Sequence, residues 1–154
     1  MSSTFETFLL ELAKVLHFSS LAPDAHGACL IIMKDGSIPL LFEFDDQLVP
    51  NTILVSSPIA ALPITHHADI YEALLKGNAS IEETLSVKPD EDVLYLHRRF
   101  HPDIQSAEIE QLLHFFLQNI KEWKLRIETI TSQPPLSDKL PPHPSAIKVF
   151  PFKA

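Results

Sequence analysis

Apolar residues recur at intervals of three and four positions near the start of the chain, which predicts an amphipathic helix from Ser3 to Leu16. Ser3 and Glu6 have the spacing of a capping box, in which each side chain bonds a terminal amide that has no intrahelical partner. The apolar stripe consists of Phe5, Phe8, Leu9, Leu12 and Leu16. Leu10 and Val15 lie off this stripe, so the helix is either deeply buried or needs a partner on a second face.

A second stripe with the same spacing predicts a long helix from about Ser106 to Ile130, and this helix carries the only tryptophan. Its apolar positions are Ile109, Leu112, Leu113, Phe116, Ile120, Trp123 and Ile127. A shorter helix is predicted from about Ala68 to Lys76, where Gly77-Asn78 provides a C-terminal stop signal.

Two pairs of short apolar runs predict β-hairpins. The runs from Ala28 to Met33 and from Ile38 to Phe44 flank Asp35-Gly36. That dipeptide is a strong hairpin signal because both central positions of the turn need a positive φ. The runs from Glu83 to Lys88 and from Val93 to Arg99 flank a Pro-Asp-Glu-Asp turn.

A fifth strand is predicted between the hairpins, from Thr52 to Ser56, followed by an irregular connection around Pro58 and Pro63. The element order is therefore α-β-β-β-α-β-β-α. Runs of antiparallel strands with helices on one side form an α+β domain, here a twisted antiparallel sheet packed with helices.

The first strand is apolar on both of its faces, with Cys29, Ile31 and Met33 on one side and Leu30 and Ile32 on the other. The last helix can cover only one face of a small sheet. The other face must meet the first helix, a second subunit or a bound segment. A monomer with helices on both faces is the alternative that the pattern leaves open.

The composition changes after Ser132, where six of the thirteen prolines fall in the last 22 residues. We therefore expect a folded domain over residues 1–132 and an extended, mostly disordered tail over residues 133–154. The end of the tail, Val149-Phe150-Pro151-Phe152, is apolar enough to dock. Residues 1–132 carry 9 basic and 19 acidic residues, whereas the tail carries three lysines and one aspartate.

The acidic domain argues against binding to nucleic acid or to an anionic membrane, and it suits a basic or polar partner. No apolar run approaches the roughly 20 residues that span a bilayer. The N-terminus lacks the features of a signal peptide, and Cys29 is the only cysteine. These features predict a protein without disulfides that stays in the cytoplasm.

The chain shows no recognisable active site. Adjacent His66 and His67 point in different directions in any regular element, and no cysteine stands at ligand spacing from them. There is no G-x-S-x-G motif and no glycine-rich phosphate loop. We therefore expect no enzymatic activity, metal or cofactor. Two alternatives stay open: an enzyme or small-ligand binder with a pocket beside His66, His67 and Tyr71, and a structural subunit of a larger assembly.

Several local patterns follow one another in a fairly specific order. They are the Asp35-Gly36 hairpin, Leu62-Pro63 before the short helix, the helix from Tyr71 to Asn78 with its ALL-x-GN ending, and the hairpin that closes on His97-Arg98-Arg99-Phe100. A final helix with Phe116 and a late Trp123 completes the series. From Phe5 to about Ile130 the chain resembles the class I chaperones of type III secretion systems, the Tir-chaperone family. It departs from them at Ser80 to Glu83, where members often have glycine, and in its Pro-rich tail.

The resemblance implies a bacterial homodimer formed through the second helix and the fourth and fifth strands. Its candidate interface residues are Tyr71, Leu74, Leu75, Leu85 and Val87. It also implies that an effector protein wraps its N-terminal segment around each subunit in extended form, without ATP or metal. The candidate cargo-binding residues, assigned by strand phase with Ile31 and Leu54 on the outer face, are Leu10, Ile31, Met33, Leu41 and Leu54. A secretion-system ATPase is a further candidate partner.

Overall fold

The computed structural model describes residues 2–34, 37–45, 49–79, 82–88 and 90–134, and in this part of the chain the elements follow the predicted α-β-β-β-α-β-β-α order. They are α1 Ser2–Leu16, β1 Ala28–Met33, β2 Ile38–Asp45, β3 Thr52–Ala61, α2 His67–Asn78, β4 Thr84–Lys88, β5 Val93–Phe100 and α3 Ser106–Thr131. The predicted Asp35-Gly36 turn, the side chain of Ser3 in the predicted capping box and residues 135–154 of the tail lie outside the described residues.

The five strands form one antiparallel sheet in the spatial order β1-β2-β3-β5-β4, with β1 and β4 at its edges. The pairing of β3 with β5 joins the two hairpins. The registers align across the sheet: Leu30 lies opposite Leu41, Leu41 opposite Ser56, and Ser56 opposite His97. Residues paired in this way share one face of the sheet.

The hydrophobic core lies between one face of the sheet and the helices. The helix α3 packs on α1 and β3, while α2 packs on β4 and α3. Seven of seven stripe residues of α3 are buried, as the periodicity predicts. The core positions of α1 are Phe5, Phe8, Leu9 and Leu12. The core positions of the sheet include Cys29, Ile31, Ile38, Leu40, Phe42, Ile53, Val55, Leu85, Leu94 and Leu96.

The strand β3 is longer than predicted, because it continues past Ser56 to Ala61 and includes Pro58. The predicted end at Ser56 is therefore wrong. Proline lacks an N–H and normally ends or borders a central strand. Here Pro58 lies opposite Tyr95, and the register shifts between Pro58 and Ala60. Such a bulge interrupts the ladder locally, so the interior strand accommodates the proline.

The helices of the described chain all pack on the same side of the sheet, and none of them covers its opposite face, here called the outer face. Leu30 and Ile32 on that face are each 61% exposed. The alternative with helices on both faces is therefore wrong for the described residues. None of the helices in this part of the chain has the length and hydropathy that a membrane span needs.

Candidate binding surfaces

The outer face is apolar where β1, β2 and β3 build it. The outer apolar patch is defined by Leu30, Ile32, Pro39, Leu41 and Leu54. Leu30 lies opposite Leu41 and Ile32 opposite Pro39, and the last three members of the patch are partly buried. The patch reaches β1, an edge strand of the sheet. An extended peptide can pair with such an edge while its alternate side chains contact the patch.

The strand phase predicted for β1 is wrong. Ile31 is 4% exposed and lies opposite Leu40 in the core, and Met33 packs against the same core. Leu30 and Ile32 take the outer positions instead. Because β1 is apolar on both faces, its own pattern does not determine which face is buried. The pattern that determines the buried face of β1 lies in β2. Alternate residues of β2 are buried, namely Ile38, Leu40 and Phe42, and the residues of β1 that pair with buried residues of β2 lie on the same buried face.

The five predicted cargo-binding residues do not form one surface. Leu41 and Leu54 lie on the outer face, whereas Ile31 and Met33 point into the core. Leu10 is 57% exposed on α1, in the helical layer on the opposite side of the sheet. The structure therefore supports a patch that keeps Leu41 and Leu54 and adds Leu30 and Ile32.

The outer face becomes polar where β5 and β4 build it. His97 Nε2 and Ser86 Oγ are 2.6 Å apart, and the His97 ring stacks on Tyr95 with centroids 5.8 Å apart. Burial, followed by the charges of Lys88 and Arg99, lowers the pKa of His97. Among the described residues, no partner reaches His97 Nδ1. His97 and Arg99 help line a cavity of about 380 Å³ beside Leu54. An imidazole with a lowered pKa therefore adjoins the apolar patch.

The predicted dimer residues divide into two groups. Leu74 and Leu85 are buried in the core of the single chain, and Val87 is partly buried. Tyr71 and Leu75 are one helical turn apart on α2 and are exposed, Leu75 to 72%. Only the exposed pair is fully available to a second subunit, since the buried residues already have core contacts.

The two histidines of the alternative pocket bond to nearby groups. His66 Nε2 lies 2.6 Å from the carbonyl oxygen of Gln133, and its Nδ1 lies 2.7 Å from Thr65 Oγ1. His67 Nε2 lies 2.5 Å from the carbonyl oxygen of Pro63. Over the described residues, no group of three or more His, Cys, Asp or Glu side chains is placed to hold a metal ion. These contacts give the histidines structural roles.

A larger groove of about 620 Å³ lies between α3 and the end of β5. Arg98 crosses it and pairs with Glu82 at 2.6 Å and with the buried Glu83 at 3.4 Å. Its apolar lining consists of Phe100, Ile104, Leu112 and Phe115. Sequence periodicity did not reveal this groove, because the register that brings Arg98 to Glu83 depends on the strand pairing.

Comparison with known proteins gives one family. The model of the Tir chaperone protein (CesT) family matches residues 7–124. No curated protein matches the sequence of this chain.

Solved structures share the fold at low sequence identity. The HopA1–SchA chaperone–effector complex has a TM-score of 0.66 at 13% identity, covering 80% of this chain and 94% of that chain. The ExsC–ExsE complex has a TM-score of 0.66 at 12% identity, with coverages of 80% and 93%. The type III secretion chaperone SycH of Yersinia pestis, bound to a fragment of YscM2, has a TM-score of 0.58 at 11% identity, with coverages of 77% and 98%.

Proposed function

The chain belongs to the Tir chaperone protein (CesT) family, and we propose that it is a type III secretion chaperone that binds the N-terminal segment of one or more effector proteins. The segment is held in extended form, which keeps it soluble and competent for secretion. The observation that carries this proposal is the outer apolar patch, an exposed apolar area at the edge of a sheet whose helices all pack on the other side.

The patch suits an extended segment because of its shape. Leu30 and Ile32 are two positions apart on β1, so their side chains repeat at the interval of alternate residues in a second strand. A segment that pairs with β1 bonds through its backbone, and its apolar side chains cover the patch. Burying the exposed parts of Leu30 and Ile32 contributes about 2–4 kcal/mol. Contacts between the segment and the protein beyond Leu30 and Ile32 must offset the conformational entropy that the segment loses when it becomes ordered.

We propose that the protein acts as a homodimer in the bacterial cytoplasm. Tyr71 and Leu75 on α2 are the exposed apolar residues from which we build the interface, with β4 beside them at the edge of the sheet. A two-fold axis brings the same residues of both subunits together, so one small patch is used twice. The secretion-system ATPase is a further proposed partner. Binding of this kind needs no catalytic residue, cofactor or metal.

The test is recovery of a partner from the native bacterium with tagged protein, followed by identification of the bound segment by mass spectrometry. We expect one or a few proteins, bound through their N-terminal segments. Leu30→Asp should abolish this binding because an unpaired charge in a dehydrated apolar contact costs roughly 2–5 kcal/mol. Leu125→Asp is the matched control, since Leu125 is 64% exposed on α3. Full binding by Leu30→Asp would contradict the proposed site.

A further inference from the structure

The outer apolar patch also matches a segment of the chain itself. We propose that residues 146–152, in the sequence Ala-Ile-Lys-Val-Phe-Pro-Phe, bind the outer apolar patch of the same chain when no other segment occupies it. The docking itself stands on the geometry and chemistry of this chain, while its consequence for effectors rests on the proposed function.

The tail begins at the end of the sheet from which it can reach the outer apolar patch. His66 Nε2 lies 2.6 Å from the carbonyl oxygen of Gln133, which holds the end of α3 beside the segment that follows β3. The same end of β3 is paired through Ala61 with Val93. The antiparallel registers bring this end of β3 level with the hairpin end of β1 and β2, where Met33 pairs with Ile38. The tail therefore starts near the Ile32 end of the patch.

The tail is also long enough. Eleven residues lie between Pro134 and Ala146, so twelve residue steps of at most about 3.3–3.6 Å each span roughly 40 Å when the chain is extended. Neighbouring strands are about 4.8 Å apart and packed layers about 10 Å apart. The path around the edge of one layer and across three strands is on the order of 25 Å by these spacings. The apolar end of the tail can therefore reach the patch without extending fully.

The composition of the segment complements the patch. Residues 145–150 contain no proline, and Ile147 and Val149 alternate with Lys148, the pattern of a strand with one apolar side. Such a strand presents two apolar side chains at the spacing of Leu30 and Ile32. The tail as a whole is basic, and residues 1–132 are acidic.

Attachment to the same chain makes a weak contact effective. A tethered segment whose connection can span the two sites reaches an effective concentration of about the millimolar range, so it needs little intrinsic affinity to occupy the patch. It then competes with an incoming effector. Removing it should tighten effector binding by about 3–10-fold, because the free patch is the binding-competent state. The tail would thus cover the apolar patch until a stronger segment displaces it.

Amide hydrogen exchange of the full chain, without effector, tests the docking. We expect β1 to exchange more slowly in the full chain than in the variant Ile147→Asp/Val149→Asp. The matched control is Leu136→Asp/Leu140→Asp, which places two charges in the other proline-free run of the tail and should leave β1 protected. Equal exchange of β1 in all three proteins would overturn the proposal.

Two further experiments identify the segment that covers the patch and its effect on effector binding. In a mixture of full chains with chains that end at Pro134, distinguished by mass, only the full chains should show slow exchange in β1. Protection of the shortened chains would mean that the tail binds a second copy, which overturns binding to its own chain. Effector affinity is then measured on the shortened chain. If the shortened chain binds no effector, the proposed function is contradicted. If it has lost the slow exchange of β1 but binds the effector with unchanged affinity, the tail binds the patch but does not compete with the effector, and the proposed competition is overturned.

Discussion

Gly77 and Trp123 are packed so closely that a Cβ on the glycine would lie 2.4 Å from Cζ2 of the indole ring. The same Cβ would lie 2.9 Å from Cδ1 of Leu85. This contact joins α2, α3 and β4 at one point of the core. The sequence pattern predicts Gly77 as a helix stop, but α2 continues to Asn78 and the glycine is buried within it. Its function in the fold is to let the indole approach the helix backbone.

We predict that Gly77→Ala destabilises the protein by about 1–3 kcal/mol, because the overpacking cost exceeds the gain of up to about 1 kcal/mol in helix propensity. Urea unfolding measures the change. Trp123→Phe, which shortens the ring system, should reduce the penalty, so a double-mutant cycle should give a clear coupling between the two positions. Additive effects would contradict the packing explanation.

Asn78 ties the end of α2 to β4. Its Oδ1 accepts a hydrogen bond from the amide of Leu85 at 2.6 Å, and its Nδ2 donates to the carbonyl of Leu85 at 3.1 Å. We predict that Asn78→Ala costs about 1–3 kcal/mol of unfolding free energy, since a partly buried amide and carbonyl lose their partner. Gln118→Ala is the control, because Gln118 is exposed and bonds to Glu122 on its own helix. A comparable loss in the control would contradict the prediction.

The order of elements is predictable because the helical stripes and the alternation in β2 are strong, and the structure confirms them at Phe8, Phe116 and Phe42. The phase of β1 is not predictable from β1 alone, since Ile31 and Ile32 are equally apolar and only pairing with β2 distinguishes them. The length of β3 depends on a bulge at Pro58 that no local pattern announces. For the same reason, the outer position predicted for Ile31 is wrong, and Leu30 and Ile32 lie on the outer face instead.

His97 predicts a dependence of stability on pH. Burial lowers its pKa in the folded chain. A base with a lowered pKa binds fewer protons when folded than when unfolded, so the free energy of unfolding should fall as the pH drops below the ordinary histidine pKa of about 6.5. Urea unfolding at pH 7.5 and pH 5.5 measures this loss. His97→Gln should show a smaller loss, and the exposed His114→Gln should behave as the parent protein; equal losses in all three would contradict the assignment.

The proposed dimer predicts different effects at two adjacent residues of α2. Leu75→Asp should give monomers that remain folded, because Leu75 is largely exposed in the single chain. Leu74→Asp should unfold the protein, because Leu74 is 6% exposed and a buried unpaired charge is strongly destabilising. Sedimentation should give about twice 17.3 kDa for the parent protein and 17.3 kDa for Leu75→Asp. A monomeric parent protein at all concentrations would exclude the dimer.

Ile31 and Ile32 provide the sharpest test of the outer apolar patch, since they are neighbours of the same type on opposite faces of β1. Ile32→Asp should preserve the circular dichroism spectrum and the unfolding free energy to within about 1 kcal/mol, because a charge on an exposed face stays hydrated. It should nevertheless abolish binding of the effector segment, measured by titration calorimetry. Ile31→Asp should unfold the chain, because its side chain lies in the core opposite Leu40. If Ile32→Asp binds the effector normally, the segment uses another surface, and the groove crossed by Arg98 becomes the next candidate.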